Sequence, residues 1–134
     1  MSPLIGVLCC NEVADRPIQA VATRFIRPLA EISRATVLLV PAVAGTFDAA
    51  SLAARLDGLL LTGSRSNIAP RRYGDEGVAM GPEAHAAVDG LVEAFSARPA
   101  GAPVLAVQWH PEWDAAHRPE SRAFFRFVGE AIAA

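Results

Sequence analysis

The sequence lacks the features that mark an exported, membrane-bound or nucleic-acid-binding protein. Its first ten residues, MSPLIGVLCC, contain no basic residue, and their apolar run is too short to direct export or to cross a bilayer. The 12 basic and 14 acidic residues are interspersed and give a formal net charge of -2, so there is no basic patch for nucleic acid or an anionic membrane. We therefore expect a cytoplasmic protein with neither kind of partner.

Cysteines and cofactor motifs are also sparse. The two cysteines, Cys9 and Cys10, are adjacent and cannot build a disulfide framework, so we expect free thiols, buried or half-buried, rather than a redox pair. His85 and His117 have no second ligand at metal spacing. The chain has neither a G-x-G-x-x-G sequence nor a Walker-type loop. No metal and no cofactor is predicted.

What is present indicates one α/β domain over residues 1–134, because 134 residues with 52% hydrophobic content suffice for a single core. Strand patterns alternate with helical ones, which predicts a parallel sheet with right-handed crossovers. In chain order the pattern predicts a strand at Leu4–Leu8, a polar turn at Asn11–Asp15, a helix from Pro17 to Leu29, a strand at Thr36–Val40, a short helix capped by Asp48 and ending at Leu56, and, after the Asp57-Gly58 turn, a strand at Leu59–Thr62.

The rest of the chain is less uniform. Ser64–Gly81 has the composition of a polar loop, and such a loop at the carboxyl end of a strand is where ligands bind in these folds. Pro82–Arg98 permits two interpretations, a helix by periodicity or two short strands around the Asp89-Gly90 turn. Glu120–Ala133 follows Pro119 with helical spacing and is predicted as the closing helix, packed on the sheet.

The stretch from Val104 to Trp113, VLAVQWHPEW, ends an apolar run in an imidazole and a carboxylate. A strand would place Gln108, His110 and Glu112 on one face, with roughly 6.6 Å between successive members. A carboxylate near an imidazole fixes its tautomer and supports its protonated form, as a general base requires. By spacing alone, the same residues also fit a strand that ends in a solvated polar turn.

Four stretches, PLIGVLCC, DGLLLTGSRSNIAPRRYG, DGLVEAF and VLAVQWHPEW, occur in this order and span most of the chain. Through them the sequence resembles the class I glutamine amidotransferase-like hydrolases, specifically the γ-glutamyl-γ-aminobutyrate hydrolase branch of the peptidase C26 family. The resemblance implies a flavodoxin-like parallel sheet flanked by helices, and hydrolysis of a small γ-glutamyl compound by a Cys-His-Glu triad.

The resemblance also implies roles for individual residues. His110 would be the base and Glu112 its orienting carboxylate. Backbone N–H groups of Gly63 and Ser64 would form the oxyanion hole. The residues that match the loop beside the substrate pocket are Asn67, Pro70 and Tyr73.

The sequence departs from the family pattern at the nucleophile. No G-x-C-x-G elbow lies between Tyr73-Gly74 and the His-Pro-Glu segment, and a cysteine within the first strand would lack the exposed, strained turn that presents a nucleophile. A segment of roughly a hundred residues is therefore expected to be missing, with the joint between Asp75 and Pro82.

Three interpretations follow from this departure. The chain is a γ-glutamyl hydrolase family member whose activity is impaired. Alternatively, it is a non-catalytic module that binds a small carboxylate or phosphate ligand. In the third, it forms a homo-oligomer that covers exposed sheet edges and apolar surface. The cations that could hold the ligand of the second interpretation are Arg65, Arg71 and Arg72.

Overall fold

The computed structural model describes residues 1–63, 84–86 and 92–134. The chain divides into two compact units, one made of Met1–Ser64 together with Pro111–Ala134, and the other of Arg65–His110. The predicted joint at 75–82 lies outside the described residues, and the single domain over 1–134 stays a prediction. The elements are β1 (Leu4–Leu8), β2 (Cys10–Val13), β3 (Pro17–Ala20), α1 (Thr23–Glu31), β4 (Thr36–Val40), α2 (Ala49–Ala53), β5 (Gly58–Leu60), β6 (Ala84–Ala86), β7 (Val92–Ala97), β8 (Val104–Val107) and α3 (Pro119–Ala133).

The first unit is built on a parallel sheet with the strand order β4-β1-β5. Gly6 in β1 pairs with Leu38 of β4 on one side and with Leu59 of β5 on the other. The β2-β3 ribbon and helix α1 lie between β1 and β4 in the chain, and α2 connects β4 to β5. The Asp48 carboxylate accepts a hydrogen bond of 2.7 Å from the Ser51 backbone N–H and so caps α2. The predicted parallel β-α-β-α-β arrangement is confirmed.

The core of this unit joins the start of the chain to its last helix. Ile5 and Leu29 are almost completely buried, and Phe125 of α3 is buried in the same cluster. The Phe125 ring meets Phe124 edge-on, with ring centroids 5.2 Å apart. The buried Ser33 hydroxyl donates a hydrogen bond of 2.6 Å to the Phe125 carbonyl oxygen. The predicted closing helix is therefore confirmed, and it packs where the sequence places it.

The segment between β1 and α1 differs from the prediction. Instead of a polar turn at Asn11–Asp15 and a helix from Pro17, β2 and β3 pair as an antiparallel ribbon, and the helix begins only at Thr23. Helical spacing of apolar residues does continue upstream of Thr23, but contacts with the loop after β4 hold this segment extended. Tertiary contacts thus override a local helical pattern.

The described part of the second unit is an antiparallel sheet with the strand order β6-β7-β8. Of the two interpretations of Pro82–Arg98, the pair of strands is confirmed and the helix is wrong. Strand β7 pairs with β6 on one side and with β8 on the other, and this cross-strand pairing supplies hydrogen bonds that periodicity cannot reveal. In the described ranges of the chain, no helix has the length and apolarity to cross a bilayer.

Candidate functional site

The carboxyl ends of the three parallel strands meet at one edge of the sheet, where ligands bind in open α/β folds. Directly after β1, the Cys9 backbone N–H donates a 2.8 Å hydrogen bond to the Val40 carbonyl oxygen at the end of β4. Beyond β5, the chain reaches Thr62 and Gly63 at the same edge. This arrangement, called the carboxyl edge below, is the candidate ligand-binding region of the first unit.

Cys10 lies at the corner of the carboxyl edge next to β5. Its Sγ is 3.7 Å from the Thr62 Oγ1 and 3.9 Å from the Gly63 carbonyl oxygen. The Thr62 hydroxyl in turn donates to the Leu8 carbonyl oxygen at 3.4 Å. The thiol thus contacts Gly63, which the family resemblance implies for the oxyanion hole. Sequence reasoning placed Cys10 within the first strand and gave no signal for this contact.

A network of two side-chain amides ties the β2-β3 ribbon to the opposite corner of the carboxyl edge. The Ala42 backbone N–H donates to Gln19 Oε1 at 2.7 Å, and Asn11 Nδ2 donates to the Ala42 carbonyl oxygen at 3.2 Å. Gln19 Nε2 also donates to Asn11 Oδ1 at 2.6 Å. Asn11 and Gln19 face each other across the ribbon, so the network is closed. We call this set of three hydrogen bonds the amide clamp.

The two thiols occupy different environments. Cys9 is buried and Cys10 is half-buried, and both are free, as predicted. Burial raises the pKa of the Cys9 thiol, and the neighbouring Cys10 raises it further. Since the thiolate is the nucleophilic form, the raised pKa makes Cys9 less nucleophilic near neutral pH than an unshifted thiol.

The His-Pro-Glu segment has a different geometry from the one predicted. Strand β8 ends at Val107, and Pro111–Trp113 forms a 3₁₀ turn, so Gln108, His110 and Glu112 do not share a strand face. Proline cannot donate to a strand ladder, and its fixed φ suits the first position of a helical turn. His110 is exposed, whereas Glu112 is buried. The boundary between the two units falls between His110 and Pro111.

Two contacts, at Trp113 and Asp114, hold the 3₁₀ turn that carries Glu112. The guanidinium of Arg24, in the first turn of α1, stacks over the Trp113 ring at 4.3 Å from its centroid. After the turn, the Ser121 hydroxyl of α3 donates to Asp114 Oδ1 at 2.5 Å. Helix α1 begins where the ribbon ends, beside the carboxyl edge. The Arg24 contact therefore holds the Glu112 segment at the end of α1 nearest that edge.

Several predicted site residues lie outside the described residues, and their roles stay predictions. Of the implied oxyanion and substrate residues, only Gly63 is described, and it is exposed. Within the described ranges, no three His, Cys, Asp or Glu side chains are grouped so that they could hold a metal ion. The predicted residues that are not described are Ser64, Asn67, Pro70, Tyr73, Arg65, Arg71 and Arg72.

A parallel sheet flanked by helices, with the ends of its strands gathered at one edge, defines the first unit as an α/β structure compatible with a flavodoxin-like fold. The family model of peptidase C26 matches residues 3–82 and 77–112, which is most of the chain. The protein belongs to the peptidase C26 family, a family of glutamine amidotransferase-like hydrolases. No curated protein gives a significant match.

Proposed function

We propose that this protein is a γ-glutamyl amide hydrolase of the γ-glutamyl-γ-aminobutyrate hydrolase type that has lost its nucleophile and is catalytically impaired. The observation that carries the proposal is the extent of the family match, which includes the carboxyl edge and the His-Pro-Glu segment, although the only cysteines of the sequence are Cys9 and Cys10. In this proposal the chain keeps the oxyanion hole and the His-Glu pair but lacks the nucleophilic cysteine.

The reaction of this family type needs each of those parts. A thiolate attacks the γ-glutamyl carbonyl carbon, and the resulting oxyanion is stabilised by backbone N–H groups, a role we assign to Gly63 and Ser64. His110, in our proposal, takes the proton from the thiol, gives it to the leaving amine, and then removes a proton from the water that hydrolyses the thioester. Glu112 orients that imidazole. Without a thiolate positioned to attack the carbonyl carbon, the base and the oxyanion hole cannot start the reaction.

We further propose an internal deletion, because the sequence has no nucleophile elbow between Tyr73-Gly74 and the His-Pro-Glu segment. The family model aligns in two stretches that overlap at residues 77–82. This overlap falls within the interval from Asp75 to Pro82, where the sequence predicts the joint. In this proposal the missing segment carried the nucleophile elbow.

Hydrolysis of a γ-glutamyl amide by the purified 134-residue chain tests the proposal. We expect no turnover above the rate in buffer, and no change in a His110→Ala chain. A chain with both Cys9→Ser and Cys10→Ser is the second comparison. Turnover that is abolished by His110→Ala and also by the double cysteine change would contradict the proposal, because an N-terminal thiol would then be the nucleophile.

A second candidate function is binding without catalysis. It is favoured by the carboxyl edge of β4-β1-β5, which is formed although the nucleophile elbow is absent from the sequence. The ligand would be glutamate or another small γ-glutamyl compound, held with the help of Arg71. Calorimetric titration should show saturable binding that Arg71→Ala removes and Arg27→Ala, on the exposed side of α1, does not. An absence of saturation at millimolar ligand would eliminate this candidate.

We also propose that the chain self-associates. Leu38 and Leu59 flank Gly6 on the same sheet face, yet 43% and 54% of their surfaces are exposed. Exposed apolar side chains that lie together favour burial against another protein surface. Sedimentation should show a concentration-dependent dimer that Leu59→Glu weakens. A strictly monomeric profile at high concentration would exclude a homo-oligomer.

A further inference from the structure

The β2-β3 ribbon is attached to both sides of the carboxyl edge at its root. On the β5 side, Cys10 contacts Thr62 and the Gly63 carbonyl oxygen. On the β4 side, the amide clamp joins Asn11 and Gln19 to the backbone of Ala42. The ribbon leaves directly from the end of β1, which lies between β4 and β5. Its root therefore extends over the ends of all three parallel strands.

Little apolar burial holds the rest of the ribbon in place. Every residue from Asn11 to Gln19 is exposed, including Val13, whose exposed fraction is 82%. A two-stranded hairpin is marginally stable by itself in water, and segments with few buried apolar contacts open at low free-energy cost. The position of the ribbon therefore depends on the amide clamp and on the half-buried residues at its root, Cys10 and Ala20.

We propose that the β2-β3 ribbon is a strap across the carboxyl edge, and that the Asn11 and Gln19 side chains hold it closed by binding Ala42. When the clamp opens, the ribbon lifts at its root and exposes the half-buried Cys10 thiol. Asn11 and Gln19 are thus positioning residues: they act on the edge through the ribbon. The inference goes beyond the proposed hydrolase activity, since it depends only on how the ribbon is held.

The rate at which Cys10 reacts with a maleimide measures how often the strap opens. The parent chain carries Cys9→Ala, so that Cys10 is the only thiol. In this background Gln19→Ala removes the acceptor for the Ala42 N–H and the donor to Asn11. Losing these bonds should raise the open population, and with it the labelling rate at about pH 8, by about tenfold. Gln19→Glu keeps the acceptor for Ala42 and should give a smaller rise.

Glu12→Gln is the matched control, because Glu12 is exposed on the same ribbon and takes no part in the amide clamp. We expect its labelling rate to equal that of the parent. No rise with Gln19→Ala, or an equal rise with Glu12→Gln, would overturn the proposal. Urea unfolding of the Gln19→Ala chain is the second check. If its unfolding equilibrium constant rises by as large a factor as its labelling rate, Cys10 reacts through global unfolding and the proposal is overturned. No γ-glutamyl ligand is present in this experiment, so its outcome is independent of the hydrolase proposal.

Discussion

Gly129 of α3 lies directly against the backbone of Ser33: a β-carbon built on Gly129 would be 2.8 Å from both the Cα and the carbonyl oxygen of Ser33. The close approach also places the Ser33 hydroxyl within 2.6 Å of the Phe125 carbonyl oxygen, to which it donates a hydrogen bond. The absence of a side chain at position 129 thus permits the buried contact between the last helix and the turn after α1.

The first prediction concerns this contact. In an open helix Gly→Ala is stabilising by about 1 kcal/mol, but at Gly129 the added methyl meets backbone that cannot rotate away. We expect Gly129→Ala to lower the free energy of unfolding in urea by about 1 to 3 kcal/mol. Gly63→Ala is the control, because a β-carbon there meets nothing within 4 Å. Equal stability of the Gly129→Ala and unmodified chains would show that the helix can shift.

A second prediction concerns the cap of α2. The backbone hydrogen bond from Ser51 lowers the pKa of Asp48, and the Ser51 side chain adds to the effect. Because the folded-state pKa lies below the unfolded one, the cap stabilises fully above the ordinary pKa and loses this contribution as pH falls through the lowered value. Asp48→Ala should therefore destabilise at neutral pH and have less effect in acid. Asn caps a helix without a charge. The free energy of unfolding of the Asp48→Asn chain, measured in urea from neutral to acid pH, should therefore not show this pH-dependent loss of the cap.

The third prediction compares the two thiols. Since burial raises the pKa of Cys9, its thiolate forms only at higher pH, and this cause remains when Cys10 is replaced. In chains with a single cysteine, made by Cys9→Ala or Cys10→Ala, the Cys10 thiol should react faster with a maleimide at neutral pH. The rate for Cys9 should continue to rise at alkaline pH, beyond the range in which an ordinary thiol levels off. Matching pH profiles for the two chains would contradict the assignment.

The fourth prediction concerns the contact that holds the 3₁₀ turn. Stacking of Arg24 over Trp113 at an exposed position should contribute about 0.5 to 1 kcal/mol. A double-mutant cycle with Arg24→Ala and Trp113→Ala, followed by urea unfolding, isolates this coupling. The same cycle with Arg27→Ala, from the exposed side of α1, should give a coupling near zero. If both cycles give the same value, the stacking contributes nothing specific.

Local sequence patterns predicted the framework of the first unit because that framework follows from local rules. Leu4–Leu8 and Thr36–Val40 are strands with the predicted bounds, and Asp48 caps its helix as its position before an apolar run indicates. The family resemblance identified the peptidase C26 membership that the family match shows. In these parts, propensity, capping and tertiary packing agree.

The parts that could not be predicted depend on contacts between distant residues. The ribbon is extended because Asn11 and Gln19 bind Ala42, a contact across 31 and 23 positions that no local pattern records. The alternation in VLAVQWHPEW suggested a continuous strand, but a bend follows Val107 and Pro111 starts a 3₁₀ turn. The thiol contact of Cys10 with Gly63 arises in the same way, from the meeting of strand ends.

The core cluster that joins Ile5 to Phe125 has a consequence for how the protein is made. A ribosome makes Phe125 more than a hundred residues after Ile5, so the nascent chain holds an incomplete apolar core between these two points of its synthesis. Closing so long a loop is slow and leaves the sheet face exposed in the meantime. We therefore expect the core of the first unit to form only once α3 has been made, which exposes the apolar sheet face of the nascent chain until then.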